Sequence, residues 1–73
     1  MTIPLFLTKE QLDSPDFNQC SVEEIKSKQN GEYFNDVELY YRCYIGPCVN
    51  GSREVCYKTD NGCGACRWIP DIC

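Results

Sequence analysis

Histidine is absent from the 73 residues, and with it every Ser-His or Cys-His nucleophile. Positive charge is also scarce. Seven Lys and Arg stand against eleven Asp and Glu, a formal net charge of −4. An acidic chain repels phosphate backbones, so nucleic acid is excluded as a partner. No apolar run approaches the roughly 20 residues needed to cross a bilayer as a helix, and no membrane partner is expected. Ile3-Pro-Leu-Phe-Leu7 is too short for the apolar part of a signal peptide, and Lys9-Glu10 follows it. If the chain is secreted, its leader has already been removed. Methionine and tryptophan occur once each, and a chain of this size buries only about 60% of its unfolded surface. There is room for one small domain with a marginal core.

Cysteine is abundant instead: Cys20, Cys43, Cys48, Cys56, Cys63, Cys66 and Cys73. Such density marks a scaffold held by disulfides in an oxidising compartment, hence a secreted, extracellular protein. Each bridge contributes about 2–4 kcal/mol by restricting the unfolded chain. Zinc is the competing use of the thiols. Cys63-Gly-Ala-Cys66 has the spacing of half a zinc site. A second tight pair is missing, since Cys43 and Cys48 are set wider, and no metal or other cofactor is expected. Seven is odd. One thiol stays free, caps a small molecule, or joins two chains; a disulfide-linked or non-covalent homodimer is open, as are about 105 connectivities.

Residues 1–19 hold no cysteine and read as an N-terminal arm. Leu5, Phe6 and Leu7 are apolar, Thr8 with Gln11 forms a capping box, and Ser14-Pro15 stops any helix. The arm is expected to anchor on the module or on a partner. Residues 20–73 form the stapled module. Ser21 and Glu24 resemble a helix start, but Asn30-Gly31 is a hairpin signal. From Tyr33 to Cys43 the residues alternate: Tyr33, Val37, Leu39, Tyr41 and Cys43 on one face, Asp36, Glu38 and Arg42 on the other. That alternation favours the hairpin and a strand over Tyr33–Cys43. Val49-Asn-Gly-Ser52 is a second turn, Glu54–Lys58 a short strand, and Asp60-Asn-Gly62 a third turn. The expected fold is a small disulfide-rich one: a short three-stranded antiparallel β-sheet followed by a loop-rich, disulfide-stapled C-terminal half.

Catalysis has little to work with. The acidic pairs Asp13/Asp16, Glu23/Glu24 and Asp36/Glu38 read as solvated faces, because so short a chain offers no deep pocket to shift their pKa values. Cys63 and Cys66 match a redox pair in spacing alone, with no helix start to lower a thiol pKa. The chain is read as a non-enzyme with no catalytic residues. Contact residues are better represented. Arg67-Trp68-Ile69-Pro70 lies between Cys66 and Cys73 and holds residue types enriched in interface hot spots. A simpler role for Trp68 is to cover the disulfides. Tyr40, on the polar side of the alternation, is the exposed member of an aromatic band with Tyr33, Phe34, Tyr41 and Tyr44.

Cys20, Asn30-Gly-Glu-Tyr33, Tyr41-Arg-Cys43, Cys48-Val-Asn-Gly51 and Val55-Cys56 together resemble a von Willebrand factor type C module across residues 20–73. The middle cysteine of that family's cluster falls at Gly46, and its adjacent pair near the end is missing. The chain therefore looks like the reduced, single-domain forms found among invertebrate salivary and venom proteins. The resemblance implies protein binding: antagonism of a growth-factor-type ligand, or inhibition of a complement component. It places the arm, with Leu5, Phe6 and Leu7, where a clip segment lies. It also implies bridges Cys20–Cys48, Cys43–Cys66 and Cys63–Cys73, leaving Cys56 unpaired. Two other readings remain open: a serine protease inhibitor with Arg67 as its specificity residue, and a zinc-stabilised intracellular interaction module.

Overall fold

The computed structural model describes residues 3–28 and 30–70. The chain opens with the expected capping box. The Thr8 hydroxyl accepts the Gln11 N–H at 3.2 Å while Gln11 Oε1 accepts the Thr8 N–H at 2.9 Å. This starts α1 (Lys9–Leu12), which ends at an Asp13 cap before Ser14-Pro15. After β1 (Asn18–Gln19), the Ser21 hydroxyl accepts the Glu24 N–H at 3.2 Å and starts α2 (Val22–Lys26). Then follow β2 (Glu32–Tyr33), β3 (Arg42–Val49), β4 (Ser52–Thr59) and β5 (Gly62–Pro70). All pairings are antiparallel, in the order β1-β5-β4-β3-β2.

Two turns set the central hairpins. Asn50 and Gly51 join β3 to β4 with φ of 53° and 79°, the left-handed pair a two-residue hairpin demands. Gly62, at φ 99°, closes the turn from β4 into β5. Both turns fall where the sequence placed them.

Alternation along β4 and β5 gives each face its own core. Val55, Tyr57 and Ala65 pack with Leu12, Phe17 and Ile69. Cys56 and Cys66 face the other way, with Ile25, Cys43, Tyr44 and Cys63. One face is thus closed by the segment around α1, the other by α2 and sulfur. Leu12 and Phe17, with Ile3 and Leu7 against them, pack the N-terminal segment onto this face.

The sheet has five strands, not three, and the extra regularity lies where loops were expected. β5 is the longest strand. Its Gly-Cys-Gly-Ala-Cys start carries little β-propensity, but cysteines tolerate a strand when their partners lie across it. Gly64 is required there because a side chain would run into the Cys20 carbonyl oxygen. The Cys20 N–H in turn donates to the Gly64 carbonyl at 2.8 Å.

Tyr33–Cys43 is not one strand. Only Glu32 and Tyr33 pair, with Ile45 and Tyr44, and β3 begins at Arg42. Tyr40 adopts φ 72°, which reverses the side-chain alternation just before β3. Nor is Asn30-Gly31 a hairpin turn between strands, because the Ser21 cap and the fully buried Ile25 select a helix for the preceding segment.

The disulfides differ from those implied by family resemblance. Cys56 and Cys66 are register partners on β4 and β5, with Cα atoms 4.0 Å apart, and they bond. Cys56 is therefore not the odd thiol, and Cys66 is unavailable to Cys43. Cys43 bonds to Cys63 instead, with Cα atoms 5.9 Å apart. Cys73 lies outside the described residues. Cys48 is disulfide-bonded as well. Cys20 is a free thiol. It sits beside β5, while Cys48 lies on β3 two strands further across and at the other end of the sheet. Three strand spacings are about 14 Å, well beyond disulfide reach.

Candidate binding face

The most exposed apolar side chains of the described residues belong to Leu5 and Phe6, at 52% and 56%. Their backbone is nonetheless fixed. The Arg42 N–H donates to the Leu5 carbonyl at 3.0 Å and the Leu7 N–H to the Tyr40 carbonyl at 3.2 Å, which brackets a β-bridge between Phe6 and Tyr41. The Phe6 and Tyr41 rings lie 5.2 Å apart. The other strand of this ribbon is tied to β4, because the Tyr40 N–H donates to the Lys58 carbonyl at 2.7 Å and the Lys58 N–H to the Tyr41 carbonyl at 2.9 Å. Side chains add two further ties. Tyr57 Oη donates to the Pro4 carbonyl at 2.8 Å, and Arg42 Nη1 donates to the Ile3 carbonyl at 3.3 Å.

Leu7 and Tyr40 hold the ribbon down rather than facing outward. Both pack against the Leu12–Val55–Tyr57 cluster. Tyr40 is thus half-buried, contrary to the exposure its place in the alternation suggested, and Tyr41 is the ring beside Phe6. Leu39, also exposed, adjoins this segment in sequence. Sequence reasoning noted Tyr41 but put it on a buried strand face. Only its pairing with Phe6, which no local pattern encodes, reveals its place.

Arg67 and Trp68 are neighbours on β5 and point to opposite faces of the sheet. Arg67 is in β5 opposite Val55, its guanidinium 5.5 Å from the Phe17 ring centroid, so it is part of a strand and not a protruding loop. Trp68, half-exposed, is the register partner of Glu54 on the other face of the sheet. Beside it Glu54 pairs with Lys28 at 2.5 Å, and the Lys28 ammonium lies 5.7 Å from the Tyr44 ring centroid. Burial pulls the Lys28 pKa down, but the hydrogen bond and charge of Glu54 outweigh it and the net direction is up. That arrangement is an ordinary half-buried ion pair bridging the α2 segment to β4.

Tyr57 gives the arm's attachment a pH signature. Burial raises its phenol pKa above the ordinary value, against the lowering influence of Arg42 and Arg67. The neutral phenol is favoured in the folded state, so its stabilisation is intact below pH about 10 and fades as pH rises through the raised folded value. Burial raises Tyr44 as well. Tyr57→Phe should cost about 1 kcal/mol at neutral pH through the lost bond to Pro4. It should also shrink, without abolishing, the loss of stability above pH about 10. Urea midpoints of both proteins across that range check this.

A cleft of about 440 Å³ opens between α1 and the β4–β5 turn, with Lys9, Asp13, Asp60 and Asn61 among its lining residues. The sulfurs of Cys63 and Cys66 are in separate disulfides, not facing one another as a redox or zinc pair. No protein-family profile, curated protein or solved structure matches this chain.

Proposed function

We propose that this chain is a secreted, disulfide-stapled protein-binding module that antagonises an extracellular protein through the face formed by Leu5, Phe6 and Tyr41. The observation that carries this reading is an exposed apolar pair on a backbone fixed at both neighbouring residues. Exposed apolar side chains on a mobile tail lose backbone freedom when bound, whereas the backbone here is already held in a bridge. Rigid aromatic and aliphatic anchors of this kind dominate interface energetics. The acidic chain steers the module toward a basic partner surface.

A protease-inhibitor role is less well supported, because Arg67 is held in a paired strand over Phe17 rather than in an exposed loop. The test is affinity capture from plasma on the immobilised, oxidised protein, repeated with a Leu5→Ser, Phe6→Ser variant. The variant should keep its fold, since both side chains are exposed, and should lose the captured protein by tenfold or more. Equal capture by the two proteins removes this face from the function.

A further inference from the structure

We infer that Asn50 is a site of Asn-linked glycosylation, an inference that rests on the reading of this protein as secreted. Asn50-Gly51-Ser52 is the single Asn-x-Ser/Thr sequence in the chain. The fold presents it on an exposed hairpin turn. Asn50 and Gly51 are the two exposed residues of the β3–β4 turn, both in the left-handed region. A side chain built on Gly51 would meet no atom within 4 Å. The preceding residue, Val49, is itself half-exposed, and Asn50 belongs to neither core cluster. A bulky, hydrated group at this tip displaces nothing in the folded state.

The chemistry needs one co-reactant, an oligosaccharide carried on a lipid pyrophosphate. Asn50 Nδ2 bonds to the anomeric carbon of the sugar, the carbon–oxygen bond to pyrophosphate breaks with its electron pair leaving on that oxygen, and the amide nitrogen gives up a proton. Ser52, at the start of β4, supplies the hydroxyl residue of the acceptor sequence.

Position gives the glycan a physical role. β1 covers the outer edge of β5 at Ala65 and Cys66, and the Cys20 N–H extends that cover to Gly64. Among the described residues, no strand pairs with the outer edge of Arg67–Pro70, which runs toward the end of the sheet that carries the tip. Open edges invite strand-to-strand association, and bulk beside them prevents it. Phe6 lies opposite Tyr41, at the other end of β3. Seven strand steps separate the two ends, about 23 Å, so a glycan at Asn50 leaves the binding face clear.

The experiment is to express the full chain behind a secretory leader in eukaryotic cells and measure the intact mass of the secreted, unreduced protein. The wild type should carry a glycan mass that an Asn-glycan amidase removes, converting Asn50 to Asp. Ser52→Ala should abolish it. So should Asn50→Asp, which keeps a residue tolerant of left-handed backbone. Wild type secreted at its bare polypeptide mass overturns the proposal, as does a glycan that persists in both variants. Plasma capture is then run on the same material. Capture by unglycosylated wild type leaves the binding reading standing while this one falls, and a glycosylated protein that captures nothing does the reverse.

Discussion

A chain lacking residues 1–12 is expected to lose its cooperative fold. Leu12 is almost wholly buried, in one cluster with Phe17, Val55, Tyr57, Ala65 and Ile69. Leu12→Ala alone should cost about 2–5 kcal/mol, the range for deleting a large buried aliphatic side chain. Domains of this size have only about 5–15 kcal/mol in total. Truncation adds the loss of Ile3 and Leu7 from the same cluster, and it strips Tyr57 of its acceptor at Pro4. Denaturant unfolding of Leu12→Ala measures the first loss. A two-dimensional amide spectrum of the truncated chain, still oxidised, reads the second. If the truncated protein keeps the dispersed β4 and β5 resonances of the full chain, the packing of residues 3–19 into the core is wrong.

Removing the Cys56–Cys66 bridge should destabilise the protein, whereas Cys20→Ser should be nearly neutral. Closing a loop of 10 residues restricts the unfolded chain by about 2.7 kcal/mol on the chain-entropy relation. Both sulfurs are also fully buried, so Cys56→Ala with Cys66→Ala leaves a void between β4 and the α2 side. The combined loss should reach about 3–5 kcal/mol. Cys20, by contrast, is a partly exposed free thiol at the margin of the same buried cluster, tied to β5 by its backbone N–H to Gly64. A serine keeps that bond. Unfolding midpoints of the two variants decide the matter. An unfolded Cys20→Ser beside a Cys56→Ala single variant of wild-type stability would restore the pairing that family resemblance implied.

Local chemistry was the legible part of this sequence. The Thr8–Gln11 box, the Ser21 cap, the Asn50-Gly51 turn and the Asp60–Gly62 turn each depend on a few neighbouring residues, and each occurs where those residues stand. What needed long-range information was misread. Tyr33–Tyr41 alternates well enough for a strand, but its chain wraps through a left-handed Tyr40 to pair with Leu5–Leu7, more than thirty residues upstream. The weight given to Asn30-Gly31 came from that same false strand. β5 was hidden because glycine and cysteine carry almost no strand signal, and only the facing residues of β4 make it regular. Cysteine pairing follows register, and register is not written in cysteine spacing.

The candidate site shows the same division. Leu5 and Phe6 stood out as apolar residues with no local use, while their neighbour Leu7 looked identical and is spent on the core. Trp68 and Arg67 carried the residue types of a hot spot, yet strand β5 turns them to opposite faces. Only the fold sorts anchors from packing.

Site-specific photo-crosslinking tests the central claim most directly. A photoreactive phenylalanine analogue is placed at Phe6 in one oxidised protein and at Trp68 in another, and each is irradiated in plasma. Both positions are about half-exposed, so reach and accessibility are matched. One discrete crosslinked species is expected from position 6, competed away by unlabelled wild type, and none from position 68. A competed crosslink from position 68 with none from position 6 would contradict that claim.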